Sequence, residues 1–138
     1  MAILIVDDSN FSRSVTEAIL NLNGYHNTVP VESARQAFAY LRLNDVAGYK
    51  PAIDLIVMDI IMPEIDGMDA CRIIKANAHY KDVPVIMVTA NTEVERIEQA
   101  FAAGAMDYIT KPLHEIELLA RVRSALKLKK EIDGRKAH

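Results

Sequence analysis

Cysteine is almost missing from this chain: Cys71 is the only one in 138 residues, so no disulfide framework can support the fold. Cys71 falls within a helical pattern and reads as a small buried hydrophobe. The four histidines, His26, His79, His114 and His138, are scattered without metal-ligand spacing, and none is assigned to chemistry. No glycine-rich phosphate loop follows the first apolar run, which excludes both a P-loop and a dinucleotide fingerprint. No apolar stretch approaches the roughly 20 residues a membrane-spanning helix requires. Residues Met1 to Asp8 lack the basic start and cleavage region of a signal peptide. The expectation is a cytoplasmic protein with no membrane partner. Internal repeats and low-complexity segments are absent too. With 51% hydrophobic residues, the chain suits one domain around a single core.

What is present is an alternation of strand and helix patterns, repeated five times. That is the signature of a parallel sheet covered on both faces. Short apolar runs at Ala2–Val6, Ile53–Met58, Val83–Val88 and Tyr108–Ile109 read as strands, with a less regular one near Asn27–Val31. The first helix takes its apolar stripe from Phe11, Val15, Ala18, Ile19 and Leu22 and is closed by Asn23-Gly24. Ser33 to Gln36 reads as a capping box opening a helix that buries Ala37, Phe38 and Leu41. A third helix is expected over Met68–Ala76 and a fourth over Thr92–Ala103, ended by Gly104. The fifth is expected from about Leu113, with Leu118, Leu119, Val122, Ala125 and Leu126 inward. Segment Asn44–Ala52 is a long connection with Gly48 and Pro51 as turn residues, and it carries no functional reading.

Polar residues sit where these apolar runs end: Asp7-Asp8, Asp59, Thr89 and Lys111. If the runs are parallel strands of one sheet, all of these groups open onto its carboxyl edge, where open α/β sheets bind ligands. Three carboxylates crowded there repel one another, and a cation relieves the repulsion. Hard oxygen donors without His or Cys point to Mg²⁺, or Mn²⁺, rather than zinc. Such a metal commonly shares its shell with phosphate oxygens, and a carboxylate can accept a phosphoryl group as an acyl phosphate. Lys111 would be the fixed cation on the far side of that group, and the Thr89 hydroxyl can bond a phosphoryl oxygen. Taken singly, the same residues have plainer readings: Asp7-Asp8 as a strand end or helix cap, Thr89 as an ordinary strand-end hydroxyl, Tyr108 as a half-buried strand aromatic.

Together, Asp7-Asp8, Asp59 with Met62-Pro63-Glu64-Ile65-Asp66-Gly67, Thr89-Ala90 and Gly104 to Pro112 resemble the receiver domain of two-component response regulators, of the chemotaxis-regulator-like kind, over roughly Ala2 to Leu128. The resemblance implies a flavodoxin-like, doubly wound α/β fold: a five-stranded parallel sheet of order 2-1-3-4-5 with five helices. It implies a receiver over residues 1–128, followed at 129–138 by a basic extension or the start of a linker. It further implies that Asp59 is the phosphoacceptor, served by a sensor histidine kinase or a histidine phosphotransfer protein. Asp8, Asp59 and the backbone carbonyl of Ile61 would hold Mg²⁺, with Asp7 acting through a bound water. Thr89 and Tyr108 would form the switch pair. Ile61 and Asn91 would flank the attacking water and tune dephosphorylation. Pro112, following Lys111 through a cis bond, and Gly67, in the turn after the phosphoacceptor, are structural. Such a protein is a signalling switch, not an enzyme with a separate substrate; it catalyses only its own Mg-dependent phosphorylation and dephosphorylation. Its readers would be a downstream protein target, a C-terminal output domain, or a second copy in a phosphorylation-dependent homodimer built on the fourth and fifth helices.

Other classes fare worse. A phosphatase of the haloacid dehalogenase type needs a second Asp two residues past its nucleophile, and here that position is Ile61. A flavin carrier would set a flavin phosphate against Asp7-Asp8. A pseudo-receiver, keeping the fold as an interaction module without phosphorylation, is opposed by the complete acidic set. Charge is uneven: residues 1–120 hold nine Lys/Arg against seventeen Asp/Glu, and residues 121–138 seven against two. The basic tail suits a helix C-terminus or a helical continuation through Lys127–Asp133 that weakens at Gly134. Direct nucleic-acid binding by so short a stretch, without a recognition motif, is not expected.

Overall fold

The structure, a computed structural model, describes residues 1–45, 48–90 and 94–136. Five βα units follow one another: β1 (Ile3–Val6), α1 (Asn10–Leu22), β2 (Thr28–Val31), α2 (Ala34–Leu41), β3 (Leu55–Asp59), α3 (Gly67–Lys75), β4 (Val85–Thr89), α4 (Val94–Ala102), β5 (Asp107–Thr110) and α5 (Glu115–Lys136). The strands are all parallel and lie in the order β2-β1-β3-β4-β5, as the resemblance implies. Strands buried on both faces explain why the apolar runs are continuous rather than alternating. One face sends Leu4, Val6, Ile56, Met58, Val85 and Met87 toward α2, α3 and α4. The other sends Ile3, Ile5, Leu55, Val57, Ile86, Val88 and Ile109 toward Leu20 of α1 and the inner side of α5. Among the described residues no helix is long and apolar enough to cross a membrane.

Two helices depart from the sequence reading. In α1 the buried residues are Thr16 and Leu20, while Phe11 and Leu22 from the expected stripe are exposed and Ala18 faces outward. A buried threonine hides the true face because its hydroxyl is satisfied locally, donating to the Ser12 carbonyl at 3.0 Å. Helix α5 begins at Glu115 and runs through Gly134 to Lys136, so Gly134 does not weaken it. A mid-helix glycine costs about 1 kcal/mol, and ion pairs offset it: within the helix Lys129 lies 2.6 Å from Asp133, and toward the body of the domain Lys129 lies 3.8 Å from Asp54 and Lys136 pairs with Asp82. The expected start of α4 at Thr92 lies outside the described residues.

The capping reading of α2 holds: Ser33 Oγ accepts from the Gln36 N–H at 3.1 Å, and Gln36 Oε1 reaches back to the Glu32 N–H at 2.7 Å. Described residues on either side of the connection after α2 are held by hydrogen bonds. Tyr80, buried, shares its hydroxyl proton between the carbonyls of Leu41 and Pro51, at 3.1 and 2.9 Å. Lys50 Nζ donates to the carbonyls of Arg42 and Asp45.

Gly67 is fixed by close approach. A Cβ at this position would fall 2.2 Å from the Asp59 carbonyl oxygen and 2.8 Å from the Ile60 Cα, and its N–H donates to the Ile60 carbonyl at 2.7 Å. Asp66 caps the same helix end, accepting from the Asp69 N–H at 2.9 Å. Any side chain at position 67 therefore pushes on the backbone that carries Asp59. Gly67→Ala should lower the unfolding free energy by about 1–3 kcal/mol, read as a lower urea midpoint with an unchanged slope; an unaltered midpoint would show that this contact relaxes without cost.

Candidate functional site

Topology brings the predicted site residues together. Val6 lies opposite Met58, and Asp59 opposite Val88, so Asp7, Asp8 and Asp59 emerge side by side at the carboxyl edge. One carboxylate oxygen from each of the three lies within 4.8 Å of the others. Asp7 and Asp59 are buried and Asp8 is exposed, which makes a cleft open to solvent on one side. Thr89 and Thr110 are paired, and the Lys111 N–H donates to the Thr89 carbonyl at 2.8 Å. Lys111 Nζ then reaches in to 3.4 Å from Asp7 Oδ2 and 3.5 Å from Asp59 Oδ2. These are ion contacts at the long limit for hydrogen bonding. The Lys111–Pro112 bond is cis.

The electrostatics are unbalanced. Burial pushes the Asp59 carboxyl up to about 6, helped by the Asp7 charge; the Lys111 ammonium and the Ile61 N–H pull the other way without restoring the ordinary value. Lys111 alone does not offset three acids. The donor set is hard oxygen throughout, so these residues fit Mg²⁺ or Mn²⁺.

Thr89 is fully buried. Tyr108 stands opposite Met87, two residues along the same face of the sheet, and packs against the α2–α3–α4 core. The Ile61 side chain, two residues past Asp59, is 54% exposed. Asn91 lies outside the described residues. Sequence reasoning missed Arg13, whose guanidinium turns back to the Asp7 carbonyl, and Ser9, whose N–H donates to Asp7 Oδ1 at 2.9 Å. It also missed that Phe11, 77% exposed, joins Val15, Ala90, Pro112 and Leu113 around an apolar hollow beside Lys111. A single Arg one turn into the helix after an Asp pair was the available signal for Arg13.

A parallel sheet of this order with an acidic cleft and a lysine at its carboxyl edge defines a class, and the comparisons agree. Residues 3–123 match the response regulator receiver domain family. The transcriptional regulatory protein YvrH of Bacillus subtilis is 37% identical over 126 residues, 91% of this chain and 49% of the relative. Among solved structures, the Vibrio cholerae chemotaxis protein CheY4 aligns with a TM-score of 0.80 at 27% identity, covering 91% of this chain and 98% of that one. The receiver domain of sensor histidine kinase PA1611 from Pseudomonas aeruginosa, solved with a magnesium ion in its active site cleft, aligns at 0.78 and 31% identity, covering 91% and 97%. This chain belongs to the response regulator receiver domain family of two-component systems. It spans about half the length of the curated relatives it matches.

The raised Asp59 value has a signed consequence for the metal-free protein. Below pH about 4 the carboxyl is protonated in both folded and unfolded chains and contributes nothing; between about 4 and 6 only the folded state keeps the proton; above about 6 the folded state carries the full penalty of a buried charge. Stability from this group therefore falls as pH rises through that window. With chelator present, Asp59→Asn should raise the unfolding free energy at pH 7 by about 2–3 kcal/mol, and the gain should vanish at pH 4. Urea titrations of both proteins at the two pH values check this, and a gain that is equal at both would contradict it.

Proposed function

We propose that this receiver domain accepts a phosphoryl group on Asp59 from a sensor histidine kinase or a histidine phosphotransfer protein, and that the change alters its affinity for a downstream target or an output domain. The observation that carries this reading is the convergence of buried Asp59 with Asp7, Asp8 and Lys111 at one sheet edge. In the transfer, an ionised Asp59 oxygen forms a bond to phosphorus. The donor's P–N bond breaks with its electron pair going to the imidazole nitrogen, which takes up a proton. Lys111 exchanges its contact with Asp59 for one to a phosphoryl oxygen, and the Thr89 hydroxyl donates to another.

Asp7, Asp8, Asp59 and the Ile61 carbonyl would hold Mg²⁺ or Mn²⁺. When bound, the cation supplies positive charge against the phosphoryl oxygens. The switch pair is Thr89 and Tyr108: as Thr89 shifts toward the phosphoryl group, Tyr108 packs further inward and the α4–β5–α5 surface changes. For a phosphorylation-dependent homodimer on that surface, Arg121 is already engaged at 3.5 Å with Asp107 of its own chain. That leaves Arg123 and Lys127 as its exposed basic groups. The receiver proper ends near residue 128, and 129–138 form its extension toward a partner or linker. A pseudo-receiver has no observation in its favour.

Incubation with acetyl phosphate and Mg²⁺ should add one base-labile phosphate to the wild type and none to Asp59→Asn, and a chelator should stop the reaction. Intact mass before and after base treatment decides it, and equal labelling of wild type and Asp59→Asn would overturn the assignment. Ile61, branched and apolar, cannot orient an attacking water, so the phosphoprotein should decay slowly. Ile61→Asn combined with Asn91→Glu should speed that decay several-fold, followed by loss of the phosphorylated mass over time; an unchanged half-life would place control of water elsewhere.

A further inference from the structure

Asp8 is exposed, and among the described residues no hydrogen bond or ion pair holds its carboxylate. The peptide that precedes Asp8, which places its Cα, has the Asp7 carbonyl. That carbonyl accepts a hydrogen bond from Arg13 Nη1 at 2.7 Å. The arginine is itself restrained: Nη2 bonds Asn10 Oδ1 and lies 3.5 Å from Glu32 Oε1, and the side chain is only 14% exposed. On the other side of the same residue, the Asp7 N–H donates to the Val31 carbonyl at 3.2 Å, and Asp7 Oδ1 accepts from the Ser9 N–H. The turn between β1 and α1 is thus held through the Asp7 N–H, the Asp7 carbonyl and the Asp7 carboxylate, and by Ser9, whose Oγ accepts from the Ser12 N–H.

Guanidinium groups commonly form bidentate pairs with carboxylates. Arg13 does not; it addresses a main-chain carbonyl and takes its counter-charge from Glu32, at the end of β2. The cleft carboxylates are left unoccupied by it. We propose that Arg13 is a positioning residue for the divalent cation: by fixing the Asp7–Asp8 peptide it preorganises the Asp8 carboxylate toward Asp59. Outer partners of this kind steer ligands they orient without touching the ion. The inference rests on the reading of the acidic cluster as a cation site.

The test is calorimetric titration of the whole chain with Mg²⁺ and, separately, Mn²⁺, for wild type, Arg13→Gln, Arg13→Lys and Glu32→Gln, with metal-free melting temperatures recorded for each. Arg13→Gln should raise the dissociation constant about tenfold. Arg13→Lys should recover part of that loss, because one ammonium can reach the carbonyl but cannot span the Asn10 and Glu32 contacts as well. Glu32→Gln, which removes only a solvent-exposed charge pair, should stay within about twofold of wild type. An Arg13 that serves stability alone would lower the melting temperature and leave the dissociation constant where it was, and that result overturns the proposal. If Arg13→Gln does not fold, Arg13→Lys decides, and a wild-type constant there overturns it. Absence of binding by the wild type is a different failure, since it removes the cation site itself.

Discussion

Three carboxylates within 4.8 Å of one another at the edge of a buried sheet are the constraint around which the rest of the molecule is arranged. At that separation two unit charges repel by roughly 3 kcal/mol even at an effective dielectric of about 20. Lys111 approaches two of the three, at 3.4 and 3.5 Å, and still leaves Asp59 with its proton held well above the ordinary range. A fold that keeps such a cluster must hold it from behind, with backbone. It does so: β1 and β3 are neighbours in the sheet, Gly67 seats α3 directly against the Asp59 carbonyl, and the β1–α1 turn is tied through Ser9, Arg13 and Val31.

The same arrangement divides the sheet edge into two faces with different neighbours. Asp7 and Asp59 continue the alternation that faces α1 and α5, while Thr89 continues the row of Val85 and Met87 that faces α3 and α4. Asp59 and Thr89 therefore stand on neighbouring strands but point to opposite faces of the sheet. Tyr108 is on the same side as Thr89, two pairs from it along the β4–β5 ladder.

Much of this was legible in the residues. Strands buried on both faces must be apolar without alternation, so their limits were visible as runs, and the acids, threonine and lysine stood at their ends. The α1 face was not legible, because Thr16 is polar in composition yet satisfied within its own helix, and Phe11 is apolar yet lies outside, lining the apolar hollow beside Lys111. The length of α5 was not legible either: the propensity of Gly134 is a local quantity, whereas the partners of Lys129 and Lys136, Asp54 and Asp82, lie more than fifty residues away in sequence.

By itself, then, the sequence determined the element order, the strand-end placement of Asp7, Asp8, Asp59, Thr89 and Lys111, and the hard-oxygen character of the site, because each follows from residue type and spacing along one chain. The tertiary structure decided the distances among the carboxylates, the incomplete compensation by Lys111, and the bond from Arg13 to the back of the Asp7 peptide. Those depend on which strands become neighbours and how close two backbones can come, and no local pattern of side chains encodes either.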